Sequence, residues 1–231
     1  MSESHLHPGF DPVVFDLDGT VVDTVELIVK SFRYATSTVL GEVLPDELII
    51  AGVGRPLRAQ MERLSEAHAQ ELYDVYREYN HRRHDELIRG YDGIDEVLGA
   101  LKAAGRRTGI VTSKSRDTTG MAFRAVGLKD RFDVVVTATD TTEHKPSPVP
   151  LLLCLERLEA TAEGAIYIGD SPFDIEAGAA AGMTTAAVAW GVFGRDALLA
   201  AGPDFWLSEP RDLVALCLRG EGEHVTRGAG T

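Results

Sequence analysis

A chain of 231 residues that is 44% hydrophobic and 26% charged is long enough to bury a core of its own without a disulfide framework. A net charge of −13 argues against nucleic acid or an anionic membrane as partner, though not against a small anion held by local cations. The two cysteines, Cys154 and Cys217, read as buried thiols of a protein in a reducing cytoplasm, and the apolar runs are strand-sized, so no membrane span is expected. The opening MSESHLHPGF lacks the basic-then-apolar order of a signal peptide and reads as a frayed leader.

The first apolar run, Pro12 to Leu17, reads as a strand ending in two acids, Asp16 and Asp18, and a Gly19-Thr20 turn. The pattern then changes. From about residue 24 to 90, Glu26, Arg33, Glu62, Arg63, Glu66, Glu78 and Arg82 interleave with apolar residues at helical spacing. Residues 65–88 form one long amphipathic pattern with Ser65 as the expected N-cap, and His68, His81 and His84 fall on its polar face as solvated side chains. This block reads as a helical cap over residues 23–90, leaving the core at Asp23-Thr24 and returning through GYDG at 90–93.

Beyond it, strands at 108–112, 133–138, 165–170, 185–189 and 204–207 alternate with helices that begin near Ser115, Pro148, Pro172 and Pro210. The three prolines suit a first helical turn, where a missing N–H costs nothing. Strands joined by crossover helices make a parallel sheet covered on both faces. The predicted fold class is α/β: a Rossmann-like core of residues 1–22 and 91–219 with an inserted α-helical cap. Residues 220–231, Gly-rich and charged, are expected to be a disordered tail.

Ligands on open parallel sheets bind beyond the carboxyl ends of the strands. Those ends carry Asp16 and Asp18; then Thr112, Ser113 and Lys114; then, across a loop, Lys145; then Asp170, Ser171 and Asp174. Singly, each has a plain structural reading as a turn residue, an N-cap or a solvated loop side chain. Jointly those readings fail, because Asp16 sits among Val13, Val14, Phe15 and Leu17 and shares its edge with two more acids. Two carboxylates about 4 Å apart repel by roughly 4 kcal/mol at an effective dielectric near 20. Three would consume much of a domain's roughly 5–15 kcal/mol of stability unless protonated or bridged by a cation. Oxygen ligands with no histidine or cysteine beside them select a hard ion, and a site open to phosphate suits Mg²⁺.

DLDGT at 16–20, VTSK at 111–114, HKPSP at 144–148 and GDSPFDIEA at 169–177 together resemble the four motifs of the haloacid dehalogenase superfamily of hydrolases, over most of residues 12–210. The chain is most similar to the phosphoglycolate phosphatase and pyrophosphatase branch, whose small helical cap sits where residues 24–90 lie. The resemblance implies a Mg²⁺-dependent phosphatase that hydrolyses a small phosphorylated metabolite (phosphoglycolate, pyrophosphate or a sugar phosphate) through an aspartyl-phosphate. By position, Asp16 would be the nucleophile and Asp18 the acid, then the base. The side chains of Asp16 and Asp170 with the carbonyl of Asp18 would ligate the ion. Thr112 and the neighbouring Ser113 would meet the phosphate, and Lys145 would balance the charge. Asp174 would orient Lys145 or a water on the ion, and Asp23 would be a hinge-side acid. Arg55, in GVGRPL, resembles the position from which such caps reach substrate; the other reading is a solvated loop arginine.

Some relatives fit less well. Dehalogenases lack the second aspartate, which disfavours that chemistry here. Phosphonoacetaldehyde hydrolases need a cap lysine, and Lys30, the only lysine between 21 and 90, comes too early. Ser113 stands where phosphoglycolate phosphatases usually carry asparagine, which leaves the substrate open. A β-phosphoglucomutase-like phosphotransferase and a non-catalytic scaffold remain the alternatives. The expected assembly is a monomer or homodimer.

Overall fold

The computed structural model describes residues 9–225. The chain opens with β1 (Val13–Phe15) and a short β2 (Val22–Asp23), then forms four helices, α1 (Val25–Val39), α2 (Asp46–Ile50), α3 (Leu57–Leu64) and α4 (Ala69–Leu87). It returns through β3 (Arg89–Gly90) and α5 (Ile94–Ala103) into alternating units: β4 (Thr108–Val111), α6 (Arg116–Ala125), β5 (Val134–Val136), α7 (Val149–Arg157), β6 (Ile166–Gly169) and α8 (Pro172–Ala180). The last elements are β7 (Thr184–Val188), α9 (Arg195–Ala200), β8 (Phe205–Leu207), α10 (Asp212–Arg219) and β9 (Glu223–His224).

The main sheet runs β5-β4-β1-β6-β7-β8-β9, parallel except at β9, so the strand carrying Asp16 lies between β4 and β6. Its residues feed two apolar layers because successive side chains point to opposite faces. Phe15, Ile110 and Ile168 pack with Leu98 and Leu101 of α5 and Leu213 and Leu216 of α10. Val14, Val111 and Tyr167 face Leu151, Cys154 and Leu155 of α7. Helices on both faces explain why these strands are continuous apolar runs rather than alternating ones.

The four inserted helices have a separate apolar centre built on Phe32, Ala35, Met61 and Leu72. The Phe32 and Tyr76 rings meet edge-on at 4.9 Å and tie α1 to α4. The insertion is joined to the sheet by an antiparallel stem in which Val22 pairs with Gly90 and Asp23 with Arg89.

Three expectations are corrected. Ser65 does not cap α4: it closes α3, its N–H bonding the Met61 carbonyl, and a turn over 65–68 makes His68 the N-cap. The polar face of α4 is not all solvated: His84 is 1% exposed and Asn80 is buried, donating to Ser31 Oγ at 3.2 Å, because that face lies against α1. The tail is ordered as far as Val225, since Glu223 and His224 pair antiparallel with Trp206 and Phe205 and supply the sheet with an edge strand. Residues 226–231 and the leader 1–8 lie outside the described residues.

Candidate active site

The carboxyl ends of β1, β4 and β6 place the motif residues side by side. Asp16 still belongs to the ladder, its N–H donating to the Ile168 carbonyl at 2.8 Å, which explains why this acid is only 4% exposed. The chain then reverses at Gly19, whose φ of +79° is left-handed and whose N–H bonds the Val22 carbonyl. Asp170 follows β6 and is wedged between two glycines. A Cβ on Gly19 would stand 2.1 Å from Asp170 Oδ2, and one on Gly191 2.1 Å from Asp170 Cβ. The Val192 N–H donates to Asp170 Oδ2 at 2.9 Å, so the loop after β7 fixes the carboxylate from behind.

Lys145 is the centre of the buried charge. Its ammonium donates to Asp16 Oδ1 at 2.7 Å, Asp174 Oδ1 at 2.6 Å and the Tyr167 hydroxyl at 3.1 Å. Asp174 is completely buried and also closes a capping box on α8: its Oδ2 accepts from the Ser171 N–H at 3.0 Å and the Ser171 hydroxyl at 2.5 Å. Burial pushes Asp16 up to about 7 against the opposing charge of Lys145, with Asp174 and Asp18 adding to the rise. Burial, then Asp174 and Asp16, hold Asp170 well above the ordinary carboxylate range. Burial alone would lower the Lys145 ammonium; Asp16 and Asp174 overcome it and keep the lysine well above its ordinary value. One buried cation serves three buried acids, and the balance is short of positive charge.

Asp18 is held differently. Thr24 donates to its Oδ1 at 2.6 Å and Lys114 Nζ lies 2.7 Å from the same oxygen, with the Asp18 side chain 17% exposed at the mouth of the site. Thr112 is buried, its Oγ1 accepting from the Lys114 N–H at 3.2 Å. Ser113 turns toward the helical insertion and donates to the Gly54 carbonyl at 2.6 Å, while the neighbouring Arg55 guanidinium stacks 4.6 Å from the centre of the Phe173 ring. A cavity of about 280 Å³ between sheet edge and insertion is lined by Asp16, Asp18, Asp170, Ser113, Lys114 and Arg55 among others; Thr112 and Lys145 are buried and do not line it. Asp23 does not line it; its carboxylate accepts from the Val25 N–H at 3.1 Å, in the stem.

The sequence reading left four residues without a role. Tyr167 is hidden in an apolar strand, where only its hydroxyl signals a buried polar partner. Lys114 lies in the VTSK motif, and only the fold shows that it reaches Asp18. Arg77 and His81 line the cavity from α4, and their spacing of four residues is the one signal of a shared face.

The donor set fits a hard divalent ion. Ligand oxygens of Asp16, Asp170 and Asp174 lie within 4.8 Å of one another, and no other such cluster occurs among the described residues. Both oxygens of Asp174 are engaged, Oδ1 by Lys145 and Oδ2 by Ser171, whereas Lys145 takes only Oδ1 of Asp16, so Asp16 and Asp170 are the side chains available to a cation. Their raised proton affinities are what an uncompensated metal-type carboxylate pair would show.

The chain matches the family described as haloacid dehalogenase-like hydrolase over residues 13–188. It is 40% identical over 204 residues to the protein of Bacillus cereus (strain G9842) named Pyrophosphatase PpaX, covering 88% of this chain and 94% of that one. A predicted phosphoglycolate phosphatase from Haemophilus somnus 129pt superposes with a TM-score of 0.83 at 22% identity, covering 90% of this chain and 97% of that chain. A β-phosphoglucomutase from Clostridium difficile superposes with a TM-score of 0.77 at 19% identity, covering 88% and 93%. At those identities the two structures speak for the fold alone. No helix among the described residues is long and apolar enough to cross a membrane.

Proposed function

Because this chain belongs to the haloacid dehalogenase-like hydrolases, we propose that it is a magnesium-dependent phosphatase of a small phosphorylated metabolite, with pyrophosphate the first candidate after its pyrophosphatase relative. The observation that carries this reading is the contrast between two acids at one strand end. Asp16 is buried against a lysine, whereas Asp18 is held by Thr24 and Lys114 at the cavity mouth. An Asp16 carboxylate oxygen attacks phosphorus, forming the new P–O bond as the bond to the leaving oxygen breaks. Asp18 delivers a proton to that leaving oxygen, then takes one from the water that hydrolyses the aspartyl-phosphate. Lys145 stabilises charge on the phosphoryl oxygens and is itself aimed by Asp174 and Tyr167. Thr112, the residue after β4, would hydrogen-bond a phosphoryl oxygen. Asp16, Asp170 and the Asp18 carbonyl would hold magnesium, which when bound supplies positive charge to the transferring group.

Turnover of p-nitrophenyl phosphate with magnesium, abolished by chelator, is the expected result; folded protein inactive under both conditions overturns the proposal. Asp16→Asn should reduce turnover by at least about 10³-fold with folding intact, since the nucleophile has no substitute. A screen of phosphorylated metabolites by kcat/KM then orders the substrates. A phosphotransferase would instead isomerise a sugar 1-phosphate without releasing phosphate.

A further inference from the structure

The lining of the cavity carries both signs of charge. Its acids are Asp16, Asp18 and Asp170, and every other charged residue lining it is a cation: Arg55, Arg58, Arg77 and Lys114, the last paired with Asp18. In a chain of net charge −13, that is a local reversal of sign. Helix α4 produces much of it. Tyr73, Tyr76, Arg77, Asn80 and His81 stand at i, i+3, i+4, i+7 and i+8, one stripe of the helix, and all five line the cavity. A helix packed on a core normally makes such a stripe apolar, yet from Arg77 to His81 this one is polar. Asn80 is engaged with Ser31. Two cavity-wall atoms, Arg55 Nε and His81 Nε2, are buried with no hydrogen-bond partner. Leaving a buried donor unmet costs about 1–3 kcal/mol, a cost that an acceptor in the cavity would relieve. Burial and then the charge of Arg77 lower the proton affinity of His81, which places the two side chains within electrostatic reach of each other.

We infer that Arg77 and His81, together with Arg55, form a second anion subsite on the cavity's helical wall, which holds a carboxylate or phosphoryl group at the far end of a substrate whose scissile phosphoryl meets Asp16. The placement of that scissile end rests on the phosphatase reading; the subsite itself rests on the wall. Arg77 offers a planar fork of donors suited to either oxyanion, and His81 donates through Nε2 as the imidazolium or as the tautomer protonated there. A cavity of about 280 Å³ restricts the ligand to a small metabolite.

Non-hydrolysable probes test this on the full chain by titration calorimetry. Methylphosphonate carries one anionic group; methylenediphosphonate and phosphonoacetate carry a second, phosphonate in one and carboxylate in the other. The wild type should bind at least one of the two-anion probes about tenfold more tightly than methylphosphonate, or about 1.4 kcal/mol. Whichever keeps the larger preference identifies the second group. Arg77→Met and His81→Leu should each reduce that preference to about twofold, the loss of a charge-assisted contact. Arg82→Met, on the exposed side of the same helix beside Glu78, should leave it intact. Circular dichroism checks folding, and if one variant fails to fold the other decides. No preference in the wild type, or a full preference in the folded variants, overturns the inference. A preference that holds in a chain unable to hydrolyse any phosphate ester would overturn the phosphatase reading and leave the subsite standing.

Discussion

Asp16, Lys145 and Asp174 are joined by two short charged contacts, 2.7 and 2.6 Å, with all three side chains nearly sealed from water. Removing one member of such a group strands the others, so Lys145→Met should destabilise the protein by about 3–5 kcal/mol. Urea denaturation measures this, and a loss below about 1 kcal/mol would mean that the acids escape to solvent. The same burial predicts a coupling between pH and metal. The folded-state pKa of Asp16, pushed up to about 7, lies above the ordinary 3.8. A group raised in this way stabilises the fold fully below its unfolded value, and that contribution is lost as pH rises through the folded value. The metal-free protein should therefore weaken between about pH 4 and pH 7, and magnesium should raise Tm more at about pH 8 than at about pH 5. Equal thermal shifts at both pH values would remove Asp16 from the ion's ligands.

The loop between α2 and α3 is fastened to the sheet edge at two points, Ser113 Oγ to the Gly54 carbonyl and Arg55 over Phe173. Ser113 is thus spent on the loop, where the sequence placed it at the phosphate. Ser113→Ala removes one hydrogen bond that holds this loop to the sheet edge, worth about 1 kcal/mol. The expected outcome in steady-state kinetics is a rise in KM of about fivefold, shared by p-nitrophenyl phosphate and pyrophosphate alike. A change confined to one substrate would instead put the hydroxyl against the ligand. Elements were mostly legible because their signals are local. β4 and β6 lie within one residue of the predicted spans at each end, and Ser115 accepts from the Thr118 N–H as an N-cap should. Ser65 was misplaced because a cap preference is shared by helix starts and the turns between helices.

The sheet, with an apolar layer on each face, and the inserted helices, with an apolar centre of their own, meet across a cavity. Leu72 is fully buried among the helices. Leu72→Ala should cost about 2–5 kcal/mol through the space it leaves. Hydrogen exchange should show that loss over residues 25–87, with β1 and β6 still protected. Equal acceleration in both regions would show that the helices and the sheet unfold as one unit.

The sequence by itself determined the sheet edge. A βα repeat brings the carboxyl ends of its strands to one side, so reading the residues at and beyond each strand end was enough to expect Asp16, Asp18, Thr112, Lys145 and Asp170 at one edge. Tertiary structure alone decided what those residues touch. Lys114 reaches Asp18, the Tyr167 hydroxyl meets Lys145, and Gly19 and Gly191 leave the space for Asp170. It also decided which side of α4 is inside, placing His84 and Asn80 in the interior and Arg77 and His81 on the cavity wall. Helical period shows which residues share a face; it carries no information on what that face will meet, because the partner is separated along the chain and is fixed only by packing.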